Sequence, residues 1–418
     1  MTNQAFMLVD SSVVLPGPNG TCCFEISDAI DCLDNGVSCL SPLMTRSGLP
    51  GTVVGKIDID PAKALGLNYS HTKYYSRAAL LGAVAVQKLL TKLHGFVQLV
   101  PEPRTMFILA SLQFSASDVY ELIKRALQDS IASIGMDYWT YGTPASVASG
   151  ICNILRLNFP TLNIAGSCNV GLRALEIGLD ALNCGRCDRI IVVGVDSCID
   201  DIFLSSSLHL SGKGYRASVN CTDVTAVRPH DCEPLGNSSA EGAIAIAIER
   251  FQTTTIGVPF TFNSITLRSS GRTTVASGPV RPLAETASQL LRSERLSLDN
   301  LAFLVDYTDG NQFVEQHFCD FLSTLRDLEC ANDTKIRLVN PEANFGHAAG
   351  VNGLLRFAIA MRLLERGITT RCANVRQPHP GLGQVTLTPE KFSFAEQKAL
   401  IVNAGAGGDA TIATVGVI

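Results

Sequence analysis

Short apolar runs and helically spaced apolar positions alternate along most of this chain. Residues 5–15 read as a strand that runs into Pro16-Gly17-Pro18. Ala and Leu at helical spacing predict a long amphipathic helix over 73–93. Residues 106–112 form a short apolar strand, and helices are predicted over 115–134 and 144–157. The most regular stretch comes next. A strand at 162–165 meets a turn at Cys168. A largely apolar helix over 171–184 follows, carrying Leu172, Leu175, Ile177, Leu179 and Leu182, and then a fully apolar strand at 190–195. Residues 241–249 alternate as a further strand.

The second part repeats the theme. Apolar strands are predicted at 301–307, ending in Thr308-Asp309-Gly310, and at 336–339, ending in Asn340-Pro341. His347 precedes Ala348-Ala349-Gly350 and a helix over 354–364. The pattern closes with a strand at 399–403, a glycine turn at 405–408 and a strand at 410–417. Strands alternating with helices predict an α/β fold, here as two similar halves over 1–250 and 251–418. The Ser-, Gly-, Cys- and Pro-rich segment 206–236 is expected to be a surface excursion.

Composition narrows this picture. Of 418 residues, 46% are hydrophobic and 17% charged, which leaves no room for a long disordered region. The net charge of −5 argues against a nucleic-acid footprint. No apolar run reaches the roughly 18 residues that span a bilayer. The 14 cysteines are scattered, and residues 1–6 do not open a secretory signal. A reduced, cytoplasmic protein with mostly buried thiols is expected. Cys184 and Cys187 make a CxxC without a second ligand pair, so they read as cysteines at a helix end and no metal is expected.

Two residues stand where chemistry is favoured. Cys168, in Ala165-Gly166-Ser167-Cys168-Asn169-Val170-Gly171, sits at a helix N-terminus. The positive end of the helix dipole and unpaired N–H groups favour its thiolate, although it is also one buried thiol among many. His347 stands at a similar loop-to-helix junction, where an imidazole can donate to an oxyanion, exchange a proton with a thiol, or simply cap the core. His71, His94, His209, His230, His317 and His379 lie in weaker settings. The turn from Asn403 to Gly408 can present N–H groups as an oxyanion hole. It is followed by a strand, so it is not a dinucleotide loop.

Together these pieces resemble the β-ketoacyl synthase family of condensing enzymes. The chain carries the opening Leu-Pro-Gly-Pro-Asn-Gly turn and the Cys168 elbow. Val227-Arg228-Pro229-His230-Asp231 and Ala240-Glu241-Gly242-Ala243 follow, then Phe345-Gly346-His347-Ala348-Ala349-Gly350 and Ala404 to Gly408. The resemblance implies a thiolase-like fold of two pseudo-duplicated βαβαβαββ halves in an α-β-α-β-α core. It further implies a catalytic Cys168 and His347, which Asp309 would complete as a catalytic set from the position of a family histidine, an oxyanion hole from the N–H groups of Cys168 and Ala406, and an acyl entrance at Ala404, Gly405, Gly407 and Gly408. Glu342, Asn344 and Glu241 are assigned to a supporting network. Acyl-carrier protein or acyl-CoA would be the partner, in fatty-acid or polyketide-type metabolism, with no cofactor. A homodimer is expected, a heterodimer with another ketosynthase being the alternative.

Four positions depart from the family pattern. Asp309 stands in place of the family's second histidine, Glu342 in place of its lysine, and Ala404 and Ala406 in place of two gating phenylalanines. An ionised carboxylate at 309 repels an enolate instead of donating to it, which argues against ordinary decarboxylative condensation. Asp309 is expected instead to orient His347 or act as a base, suiting acyl transfer to a hydroxyl, amine or thiol. A wider acyl entrance follows from the alanines. A non-catalytic partner subunit similar to the chain-length factors is the competing expectation. A scaffold role, and thiolase-like cleavage needing a second cysteine within 401–410, are less well matched.

Overall fold

The computed structural model describes residues 5–44, 51–94, 104–210, 218–253, 256–267, 278–393 and 397–418. Ten strands make up its principal sheets: β1 (Ala5–Pro16), β2 (Thr105–Ser111), β3 (Thr161–Ala165), β4 (Arg189–Ser197), β5 (Glu241–Arg250), β6 (Val258–Leu267), β7 (Phe303–Val305), β8 (Ile336–Val339), β9 (Lys398–Ala404) and β10 (Ala410–Val417). Their spatial order repeats. It runs β3-β2-β4-β5-β1 among the first five and β8-β7-β9-β10-β6 among the second five. The sense of pairing repeats too. β2 lies parallel to β3 and β4, and β4 antiparallel to β5, just as β7 lies parallel to β8 and β9, and β9 antiparallel to β10. This is the pseudo-duplicated thiolase-like arrangement.

The two sheets join through β1. Its first residues pair with β6, from Ala5↔Thr261 to Leu8↔Val258. A register shift between Leu8 and Asp10 marks a bulge in its ladder with β5.

Helices complete five layers. The long helix α1 (Arg77–His94) and α2 (Ala145–Leu155) cover the outer face of the first sheet, and α4 (Val280–Ser293) and α5 (Gln312–Glu329) that of the second. Helices α3 (Val170–Asn183) and α6 (Ala349–Arg366) lie between the sheets and touch each other. Position explains their composition. Helix α6 is buried at every residue from Ala349 to Met361, and only a helix apolar nearly all round can fill such a layer.

Several sequence expectations shift. The helix expected over 115–134 ends at Gln128 and continues as a short 3-10 turn, Ile131–Ser133. The strand expected over 301–307 shortens to β7, because the Asp306 side chain turns back to accept from the Thr308 N–H. The segment 206–236 is only in part a surface excursion over its described residues: Thr222, Asp223 and Thr225 are exposed. Residues 226–231 are buried, and His230 pairs with Asp306. Residues 211–217 lie outside the described part. No helix among the described residues is long and apolar enough to cross a membrane.

Candidate active site

The chain leaves β3 at Ala165, turns through Gly166 to Asn169 and enters α3, which sets Cys168 at the helix N-terminus. The first turns of α3 and α6 then meet almost backbone to backbone. A Cβ on Gly353 would stand 2.5 Å from the Leu172 N and 2.8 Å from the Asn403 Nδ2, and one on Gly171 would stand 2.9 Å from the Gly350 O. Only glycine permits this approach, and it brings α3, α6 and the end of β9 to one point.

His347 arrives from the other sheet. After β8 the chain makes one short helical turn, Glu342–Phe345, and then passes through Gly346 at φ +77°. The His347 N–H donates to the Ser238 carbonyl at 2.6 Å, and its own carbonyl accepts from Ala240 at 3.0 Å. The backbone on both sides of the imidazole is thereby fixed.

The side chains close a ring. His347 Nε2 lies 3.1 Å from Cys168 Sγ, and its Nδ1 lies 3.1 Å from Glu342 Oε2. Glu342 Oε1 accepts from Arg356 Nη2 at 2.5 Å and from Asn352 Nδ2 at 2.6 Å. Arg356 Nη1 donates to Asn403 Oδ1 at 2.5 Å, and Asn403 Nδ2 donates to the Cys168 carbonyl at 3.1 Å. The Glu342–Arg356 ion pair is almost wholly buried. Such a pair persists when its geometry is good and its remaining valences are filled, and here each partner holds a second polar group of the site.

This environment sets the charges. Burial alone would raise the Cys168 thiol. The adjacent His347 and the N–H of Ala406 outweigh it and bring the thiol below its ordinary value. Burial would likewise lower His347, but Glu342 and Cys168 drive it well above the ordinary imidazole range. Both shifts favour a thiolate–imidazolium pair, the form in which a cysteine is nucleophilic.

The glycine turn sits directly on this elbow. A Cβ on Gly405 would stand 2.3 Å from Ser167 Oγ and 3.0 Å from the Cys168 N. Ala404 is buried, whereas Ala406 is exposed with its N–H directed at the thiol. Gly407 and Gly408 take φ +90° and +88°, turning the chain back into β10.

Asp309 is buried nearby, yet it is not the orienting carboxylate. Its oxygens accept from Asn237 Nδ2 at 3.1 Å and from the Asn311 N–H at 2.9 Å, and Nδ1 of His347 faces Glu342 instead. Burial raises the Asp309 carboxyl, and its charge opposes the thiolate of Cys168. Glu241 stands in a separate buried cluster, gripped by Arg77 through Nε at 2.5 Å and Nη2 at 2.6 Å. Asn344 does not reach the thiol; its amide donates to the carbonyls of Cys32 and Val37.

Sequence reasoning missed Asn352, Arg356 and Asn403. For the first two the available signal was polar residues four apart in the otherwise apolar stretch Ala349–Met361. It also passed over His230. That ring is buried beneath the Asp309 loop, with Nε2 3.0 Å from Asp306 Oδ2. Glu315 supports the same loop by accepting from the N–H groups of Gly310 and His230, each at 3.0 Å. Among the described residues, no group of three or more His, Cys, Asp or Glu side chains is placed to hold a metal ion.

No protein-family model matches the chain. The ketoacyl synthase alpha subunit of the tetracenomycin polyketide synthase of Streptomyces glaucescens is 22% identical over 381 residues, covering 87% of this chain and 86% of that one. Among solved structures, the ishigamide ketosynthase/chain length factor superposes with a TM-score of 0.81 at 14% identity, covering all of both chains. A β-ketoacyl synthase from Burkholderia phymatum gives 0.79 at 13% identity, covering 99% of this chain and all of that one. The fold is that of the ketosynthases and chain-length factors.

Proposed function

We propose that this chain, which has the ketosynthase fold and diverges from the family at the positions that handle the enolate, is an acyltransferase or condensing enzyme. Cys168 takes an acyl group from a carrier-protein or CoA thioester and passes it to an acceptor in fatty-acid or polyketide-type biosynthesis. The observation that carries this reading is the 3.1 Å contact between Cys168 Sγ and His347 Nε2, inside a closed ring of polar side chains. A thiol that was merely buried would need no such ring. The N–H groups of Cys168 and Ala406 form the oxyanion hole for the tetrahedral intermediate. His347 and Asp309 flank the reacting thioester, and the alanines at 404 and 406 leave the entrance open to a broad acyl chain.

A non-catalytic role beside an active ketosynthase is the second reading. Asp309 and Glu342, standing where the family has a histidine and a lysine, favour it. The lowered Cys168 thiol weighs against it, since a subunit without chemistry has no use for a thiolate. Either way, dimerisation through the edge strand β3 is part of the proposal. The strand bears exposed Leu162 and, among the described residues, ends its sheet, so it offers an edge to a second copy.

Intact-protein mass spectrometry after incubation with acyl-CoA or acyl-carrier protein tests the first reading. We expect one acyl adduct, absent from Cys168→Ala. No adduct on the wild-type protein overturns the proposal. Release of CO2 from a malonyl thioester would assign condensation in place of plain transfer.

A further inference from the structure

We infer that Glu342, held by Arg356, is a positioning residue that makes His347 a proton acceptor toward Cys168 and directs the acyl group to a protic acceptor: a hydroxyl, an amine or a thiol. This rests on the reading of Cys168 as the acyl carrier. It adds what that reading leaves open, namely the chemical class of the second substrate.

The argument turns on which hydrogen occupies Nδ1 of His347. Two groups contest that atom. Glu342 Oε2 lies 3.1 Å away and can only accept; Asn352 Nδ2 also lies 3.1 Å away and can only donate. Charge and geometry decide between them. A hydrogen bond to a carboxylate is roughly twice as strong as one between neutral groups. Asn352 moreover commits its amide to Glu342 Oε1 at the shorter distance of 2.6 Å. The Arg356 guanidinium, 2.5 Å from the same oxygen, holds the carboxylate in position. Nδ1 therefore carries the hydrogen and gives it to Glu342. Nε2, 3.1 Å from Sγ, is then the atom that takes the thiol proton and completes the thiolate–imidazolium pair.

The proton count then follows. In the resting pair Nε2 already holds the Sγ proton, and in loading the Sγ thiolate bonds to the thioester carbon. The carbon–sulfur bond of the donor breaks, and the departing thiolate takes the proton from Nε2. The acyl enzyme now faces a bare Nε2 lone pair. An enolate oxygen would meet that lone pair and the Asp309 carboxylate, both electron-rich. An O–H, N–H or S–H acceptor meets a base. Its proton moves to Nε2 as its heteroatom bonds to the acyl carbon, the bond to Sγ breaks, and the thiolate–imidazolium pair is restored. Both half-reactions balance without loss of CO2.

The test reads the thiol directly. Alkylation of Cys168 by iodoacetamide is followed across pH by mass spectrometry in the wild type, in Glu342→Gln, and in the double variant Glu342→Lys/Arg356→Glu. The double variant keeps the buried pair but turns a donor toward Nδ1. Because an opposite charge within reach moves a titration by a unit or more, both variants should alkylate at least about tenfold more slowly at pH 7. Unchanged profiles in either folded variant overturn the inference. Thiolate absorbance of the wild type against Cys168→Ala needs no Glu342 variant; its absence at pH 7 also overturns the inference. A second arm adds hydroxylamine, a protic amine, to the acyl enzyme. Discharge should be fast in the wild type and slow in the double variant. A wild type that shows the thiolate yet never loads an acyl group overturns the proposed function and leaves the role of Glu342 standing.

Discussion

Gly353→Ala tests whether the helix crossing sets the chemistry. The added methyl would stand 2.5 Å from the Leu172 N and 2.8 Å from the Asn403 Nδ2, where ordinary contact begins near 3.4 Å. One of these neighbours is backbone, so α6 must retreat from α3 by about 0.9 Å, at the roughly 1–3 kcal/mol that overpacking costs. Alanine is a better helix former by about 1 kcal/mol, which offsets part of that. The net loss of stability is therefore about 0–2 kcal/mol. Function should suffer more. His347 precedes α6 and Asn352 and Arg356 ride on it, while Cys168 precedes α3. A shift near 1 Å costs on the order of a hundredfold in rate, or about 2.7 kcal/mol in the barrier. The assay is the rate of acyl-adduct formation at Cys168, beside thermal unfolding followed by circular dichroism. Gly150→Ala is the control. It is also tight, 3.1 Å from the Ala79 Cβ, but lies on the outer helix α2. It should leave the rate alone. A folded Gly353→Ala protein that acylates at the wild-type rate would refute the reasoning.

Three further outcomes are expected. Asp309→Asn removes a charge that opposes the Cys168 thiolate, so the pH profile of Cys168 alkylation should move to lower pH; movement the other way would contradict this assignment. Burial pushes the Glu315 carboxyl from 4.5 up to about 8, against His230 and with Asp306 and Asp309 nearby. A raised carboxyl contributes stability that is fully present below about pH 4.5 and is lost as pH rises through 8. Glu315→Gln should flatten the fall of the thermal midpoint across that window, and an unchanged slope would count against it. Asn163→Pro places a residue without an N–H in the edge strand β3, and size-exclusion chromatography should then show a shift from dimer to monomer.

The sequence made the strands and both reactive residues legible because each declares itself locally. Strands such as β4 are continuous apolar runs, and Cys168 and His347 sit among small residues at helix starts. What stayed hidden lacks a local signature. Strand β6 mixes Thr, Asn and Ser with its apolar residues, because eight of its ten positions are only partly buried. Helices α4 and α5 carry too many charges to show an apolar face at a glance. Glu342, Arg356 and Asn403 acquire their meaning only from pairings across 14 and 47 positions of chain. Asp309 drew the orienting role because it stands in the family's histidine position; the short helix at Glu342–Phe345, which turns Glu342 toward Nδ1, is a matter of three-dimensional geometry.

The ring around Cys168 also has a consequence for biogenesis. Its members are made far apart in time: the thiol first, the imidazole and its carboxylate much later, and Asn403 later still. Strand β1, made at the outset, cannot complete its pairing until residues 258–261 exist. Contacts this distant in sequence form late in folding. On the ribosome, then, Cys168 remains an ordinary thiol while most of the polypeptide is synthesised. On the proposed function, it would gain its full reactivity only when β9 docks and the last hydrogen bond closes, which would spare the nascent chain premature acylation.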